Sequence, residues 1–133
     1  MIEANDVRPG NLVWYYDLYM NETVFEVEGI LDGFIYSSTL PKSKLSLANV
    51  HPLSLDAGYL HSFGFVRGDR AHGEDENVFS YKYNRNDSVY VRDQGYSFQF
   101  LAAAPGQLIP YGQPVVHVHQ LQNLFYCLTG QEL

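Results

Sequence analysis

Basic residues are scarce in this 133-residue chain, where eight Lys and Arg stand against fifteen Asp and Glu for a net charge of −7. A protein that grips a phosphate backbone needs clustered cations. Here they are scattered, the densest group being the loose Lys42-Ser43-Lys44. Nucleic acid and anionic membrane surfaces are therefore disfavoured as partners, although one or two arginines suffice to hold a compact anion. Cysteine occurs once, at Cys127, which excludes an internal disulfide framework and a cysteine-based zinc site. No apolar stretch approaches the roughly 20 residues that a membrane-crossing helix needs. The opening MIEANDVRPGN lacks the basic and apolar regions of a signal peptide, so a soluble, cytoplasmic protein is expected. Also missing are the Gly-x-Ser-x-Gly elbow and the G-x-x-x-x-G-K-[ST] phosphate loop. Nucleophilic catalysis thus has no local foothold, and no cofactor is expected.

What the chain does have is aromatics: eleven Tyr, eight Phe and one Trp, within a 46% hydrophobic composition. That suits half-buried sheets. The length fits one domain, 1–133, burying roughly two-thirds of its unfolded surface, with 1–53 and 54–133 as candidate subdomains. Pro9-Gly10 predicts a type II turn. Strands are expected over 12–16, 23–31 and 34–38, with Asp32-Gly33 as a type I′ hairpin turn. One or two extended pieces should occupy 44–53, and residues 5–53 read as a small barrel-like sheet. A short helix capped by Ser54 should end at Gly64, with Phe65 folding back on Leu60.

Residues 67–77 read as an exposed loop, and three strands (78–83, 88–92, 96–101) then form an antiparallel meander. Residues 102–114, with three prolines, read as an irregular connection. Val116 and Val118 should share one side of a last strand. A helix follows with a stripe of Leu121, Leu124, Phe125 and Leu128, ended by Gly130. The class is α+β, with the C-terminal helix packed on the sheet.

Chemistry-bearing residues are few. His117 and His119 lie two apart, so in an extended segment both project from one face and could chelate a metal, but two ligands alone do not make a site. Asp69, Glu74, Asp75 and Glu76 lack the ligand alternation of a calcium loop. Arg67-Gly68-Asp69 is too short a match to signify adhesion. Cys127 reads as a small core residue. The tyrosines and phenylalanines Tyr81, Tyr83, Tyr90, Tyr96 and Phe98 would, on an uncovered sheet face, make an interface.

Three stretches together, NDVRPGNLV (5–13), PLSLDAGYLHSFGF (52–65) and VHVHQLQNLFYCLTGQEL (116–133), resemble a family of small uncharacterised proteins from Bacteroidetes genomes, many in phages or prophages. Its pattern runs R-x-G-N, then P-L-T-x-x-W-L-x-x-F-G-F, then H-x-L-Q-N-L-x-x-x-L-T-G-x-E-L. This chain has Ser54 for Thr and Tyr59 for Trp, and 66–114 does not match. The resemblance implies a bacterial or phage setting and brings no activity, though His119, Gln120, Gln122 and Asn123 fall on its pattern.

Two functions are expected from different classes. The first is a non-enzymatic module that binds a protein partner or a second copy through an aromatic surface. The alternative is a small-ligand or metal site, sequestering or hydrolytic, at His117, His119, Gln120 and Asn123. A pocket that also collected Arg67 or Arg92 would favour the alternative.

Overall fold

The computed structural model describes residues 2–37, 44–68 and 77–133. Pro9 and Gly10 form the expected first turn: Gly10 has φ +98°, and the Asn11 amide donates to the Arg8 carbonyl at 3.1 Å. Strand β1 (Leu12–Tyr16) then pairs antiparallel with β2 (Glu22–Glu26) and with β6 (His51–Pro52), in the order β2-β1-β6.

The single strand expected over 23–31 is two strands in two sheets. Beyond Glu26 the buried Val27 bonds the first turn, accepting from the Gly10 amide at 2.7 Å and donating to the Asn11 carbonyl at 2.8 Å. Glu28 already donates to the Tyr36 carbonyl, at 2.9 Å. The chain therefore changes neighbours at Val27. Strand β3 (Gly29–Leu31) joins β4 (Phe34–Tyr36) and β5 (Leu45–Ser46) in a second antiparallel sheet. Alternation reports which face a side chain takes, not which strand lies alongside, so this handover left no mark in the pattern. Asp32 and Gly33, at φ +52° and +77°, make the type I′ turn. Ser38, expected in the returning strand, lies outside the described residues.

These two open three-stranded sheets enclose one apolar core of Val7, Val13, Phe25, Val27, Ile35 and Val50. The small barrel-like sheet expected over 5–53 is this pair of open sheets, and no closed barrel is found among the described residues. Helix α1 (Ala57–Ser62) is capped by Asp56, whose carboxylate accepts from the Tyr59 amide at 2.9 Å. Ser54, the expected cap, instead forms a β-bridge with His117. The far end is a Schellman turn as read: Gly64 has φ +103°, and the Phe65 amide returns to the Leu60 carbonyl at 3.0 Å.

The third sheet has five antiparallel strands in the order β11-β10-β9-β8-β7. They are β7 (Val66–Arg67), β8 (Val78–Lys82), β9 (Ser88–Asp93), β10 (Phe98–Ala104) and β11 (Gln107–Pro110). Of the loop expected over 67–77, residues 69–76 lie outside the described residues, while Arg67, expected in it, belongs to β7 and the Gly68 amide donates to the Val78 carbonyl at 2.7 Å. Strand β11 lies inside the stretch read as irregular. Pro105 and Gly106, the latter at φ +75°, form a two-residue turn that returns the chain along β10. Proline is tolerated there because β11 is an edge strand.

Helix α2 (Val118–Thr129) already includes Val118, expected in the preceding strand, so Val118 is helical and buried while Val116 is exposed. Its inward face is Val118, Leu121 and Phe125, packed with Leu60, Phe65 and the sheet residues Phe79, Val91, Phe98 and Phe100. Leu128, expected in that stripe, is exposed. Gly130, at φ +73°, ends the helix. The fold is α+β, with α2 on the five-stranded sheet.

Candidate functional site

The His117-Val118-His119 question is answered by local geometry. His117 holds an extended backbone as the N-cap residue of α2, and the Val118 amide donates to the Leu53 carbonyl at 2.9 Å. Gln120 turns back so that its side-chain carbonyl accepts from the Val116 and His117 amides, at 2.9 and 3.1 Å. This satisfies donors left over at a strand–helix junction. The two imidazoles do lie together, ring centroids 5.7 Å apart and planes at 12°. Among the described residues no group of three or more His, Cys, Asp or Glu could hold a metal.

All four expected ligand residues, His117, His119, Gln120 and Asn123, line one open cleft of about 520 Å³ between α2, the N-terminal segment and Pro52. Neither Arg67 nor Arg92 reaches it. His119 is only 5% exposed, and its Nδ1 has no hydrogen-bond partner among the described residues. Burial holds His117 below the usual histidine range, and burial followed by the neighbouring His117 does the same to His119, partly offset by Asp6. Cys127, expected in the core, is exposed on the wall of this cleft.

Asn123 is not free for a ligand. Its amide nitrogen donates to the Asp6 carbonyl at 2.9 Å, and its oxygen accepts from Asn11 Nδ2 at 2.8 Å. Gln122, 2% exposed, accepts from the Leu12 amide at 2.9 Å and donates to the Gly10 carbonyl at 3.1 Å. Arg8 makes a two-pronged pair with Glu132 and stacks 4.1 Å over the Tyr126 ring. That pairing raises the Arg8 pKa and holds the Glu132 carboxyl below its ordinary value. The Arg-x-Gly-Asn turn and the Gln-Asn…Glu-Leu ending thus bolt to each other across more than a hundred residues of sequence. Arg8, Asn11, Gln122, Asn123 and Glu132 are together a structural latch.

The five aromatics expected at an interface do not form one surface. Phe98 is buried, and Tyr81 and Tyr83 pack partly against the same core, Tyr81 meeting Phe125 edge-on at 5.2 Å. Tyr90 stands opposite Ser80 and Leu101, on the other face of the sheet from the Phe79–Val91–Phe100 row. Tyr96 falls in the β9–β10 turn and not in a strand, and is 99% exposed.

An aromatic surface does exist, on a different sheet. On the outer face of β2-β1-β6, Trp14 stacks on His51 at 4.4 Å and meets Tyr16 edge-on at 5.0 Å, while exposed Val24 pairs in register with Trp14. Trp14 satisfies its indole N–H on the Pro52 carbonyl at 3.1 Å. The strip continues into the β1–β2 turn, where Leu18, Tyr19 and Met20 are 99%, 86% and 72% exposed. This turn is held, not loose. The Asp17 carboxylate accepts from the Tyr19 and Asn21 amides at 2.8 and 2.9 Å, and the Met20 amide donates to the Asp17 carbonyl at 3.0 Å. Met20 sits at φ +62°. The signal was present in the sequence: the connection between two strands carries Leu-Tyr-Met, where polar turn residues are the rule.

Comparison with protein-family models, with curated proteins and with solved structures finds no match for the chain.

Proposed function

We propose that the protein is a non-enzymatic interaction module that docks a protein partner through the outer face of β2-β1-β6 and the adjoining β1–β2 turn. One observation carries the reading: Leu18, Tyr19 and Met20 stand almost fully in water on a turn held by three hydrogen bonds to Asp17. Burying a large apolar side chain is worth about 1.5–3 kcal/mol. A left-handed backbone costs a residue other than glycine about 1 kcal/mol. The folded monomer recovers neither, so the arrangement makes sense as a surface kept ready for a partner. The resemblance of the end stretches adds a bacterial or phage setting, and a cytoplasmic place of action, to this proposal.

The test is site-specific photo-cross-linking from position 24 on the sheet face, with the fully exposed position 96, on a different sheet, as control. A discrete protein adduct from 24 that is absent from 96 supports the proposal. Equal labelling from both positions refutes it.

A second reading, small-molecule binding in the His117–His119 cleft, is favoured by the Nδ1 of His119 in its wall, which no polar group among the described residues meets. Native mass spectrometry of the protein as purified tests it. Excess mass lost in a His117→Ala/His119→Ala variant supports a ligand there, and a bare mass counts against it.

A further inference from the structure

We infer that the β1–β2 turn is the anchor of this interface and that its partner is a protein offering an apolar pocket with a cationic rim. The inference rests on the interaction reading above and adds the chemistry of the partner. Three large side chains at consecutive positions of one tight turn cannot all lie flat on a neighbouring surface. They fit a concavity, the arrangement in which apolar and aromatic anchors contribute most to affinity. The turn is already ordered by Asp17, whose carboxylate holds two amides and whose carbonyl holds a third. Little conformational freedom is then left to lose on docking.

The rim follows from charge. Residues 9–41 contain Asp17, Glu22, Glu26, Glu28 and Asp32 and not one Lys or Arg. Glu22 is exposed on β2 beside the turn, and Glu26 is exposed at the far end of the same strand, opposite Leu12. An anionic lipid surface or a nucleic acid would be repelled. A second copy of a chain with net charge −7 would bring the same acidic flank. A protein whose pocket is bordered by Lys and Arg is the complementary surface, and its rim contacts would speed association and make it sensitive to salt.

The experiment places a photo-cross-linker at position 19 of the full chain, beside those at 24 and 96, in cells of the source organism. The expected result is a discrete protein adduct at 19 whose cross-linked segment combines apolar residues with neighbouring Lys or Arg. Its yield should fall about tenfold in a Glu22→Lys/Glu26→Lys background and by a similar factor with Leu18→Ser. Circular dichroism should show both variants folded, since every altered side chain is exposed. Adducts only with a second copy, only with lipid, or with a protein segment lacking basic residues would overturn the inference. A protein adduct at 24 without one at 19 would remove the anchor while leaving the interaction surface. Silence at both positions would remove both.

Discussion

Replacing Gln122 by Leu tests whether α2 is bolted to the first turn by a buried polar side chain or merely lies against it. Gln122 is 2% exposed and supplies the partner of two backbone groups, the Leu12 N–H at 2.9 Å and the Gly10 carbonyl at 3.1 Å. Leucine keeps most of the volume, so cavity formation contributes little. What is lost is the partner of a buried donor and a buried acceptor, each costing about 1–3 kcal/mol when left unpaired. Leucine's more favourable burial returns about 1 kcal/mol, leaving a net loss of about 1–5 kcal/mol. In a domain of this size 1 kcal/mol moves Tm by about 3–5 °C, so a fall of roughly 10 °C is expected. Urea unfolding followed by far-ultraviolet circular dichroism and by Trp14 fluorescence measures both the loss and its cooperativity. Trp14 lies in β1, the strand that Leu12 begins, so it reports on the element the latch holds. A change below about 0.5 kcal/mol would refute the reasoning, because it would mean that the Leu12 and Gly10 backbone groups need nothing from the helix.

Acidification should destabilise the fold through His117 and His119. Both are held below their ordinary value of 6.5 by burial, so the unfolded chain binds protons more readily. Their contribution is complete above the unfolded value and is lost as pH falls below about 6.5 and through the folded values. Urea titrations across that range should show the loss, and a His117→Gln/His119→Gln variant should flatten it. Arg8→Met should cost less than about 1 kcal/mol despite its two-pronged contact, because the pair with Glu132 is solvent-exposed. A larger loss in thermal melts would show the ion pair to matter more than the buried amides beside it. Met20→Gly relieves a left-handed backbone at φ +62°. Glycine's freer unfolded chain takes back about half of a roughly 1 kcal/mol gain, so Tm should hold or rise slightly while cross-linking from position 24 weakens. A lower Tm would mean that the Met20 side chain stabilises the monomer.

His117, His119, Gln120 and Asn123 are legible as a group because they are neighbours in sequence, and the structure does gather them in one cleft. Their separate roles were not legible. Asn123 looks like Gln120 in the sequence, yet one reaches Asp6 and Asn11 while the other folds back on its own helix cap. Clean alternation in the meander points to an aromatic interface there. Alternation marks one buried face, however, and Tyr81 and Phe98 went into that face under α2.

Residues within a few positions of one another determined the turns, the hairpin at Asp32-Gly33, the Schellman end at Gly64 and the stop at Gly130. Backbone angles and short hydrogen-bonded rings depend only on such neighbours. Tertiary structure alone decided that Val27 leaves one sheet for another, that Arg8 and Asn11 meet Glu132 and Asn123, and which aromatic strip stays in water. Those outcomes depend on which surface arrives opposite, a partner that no local window of the chain contains.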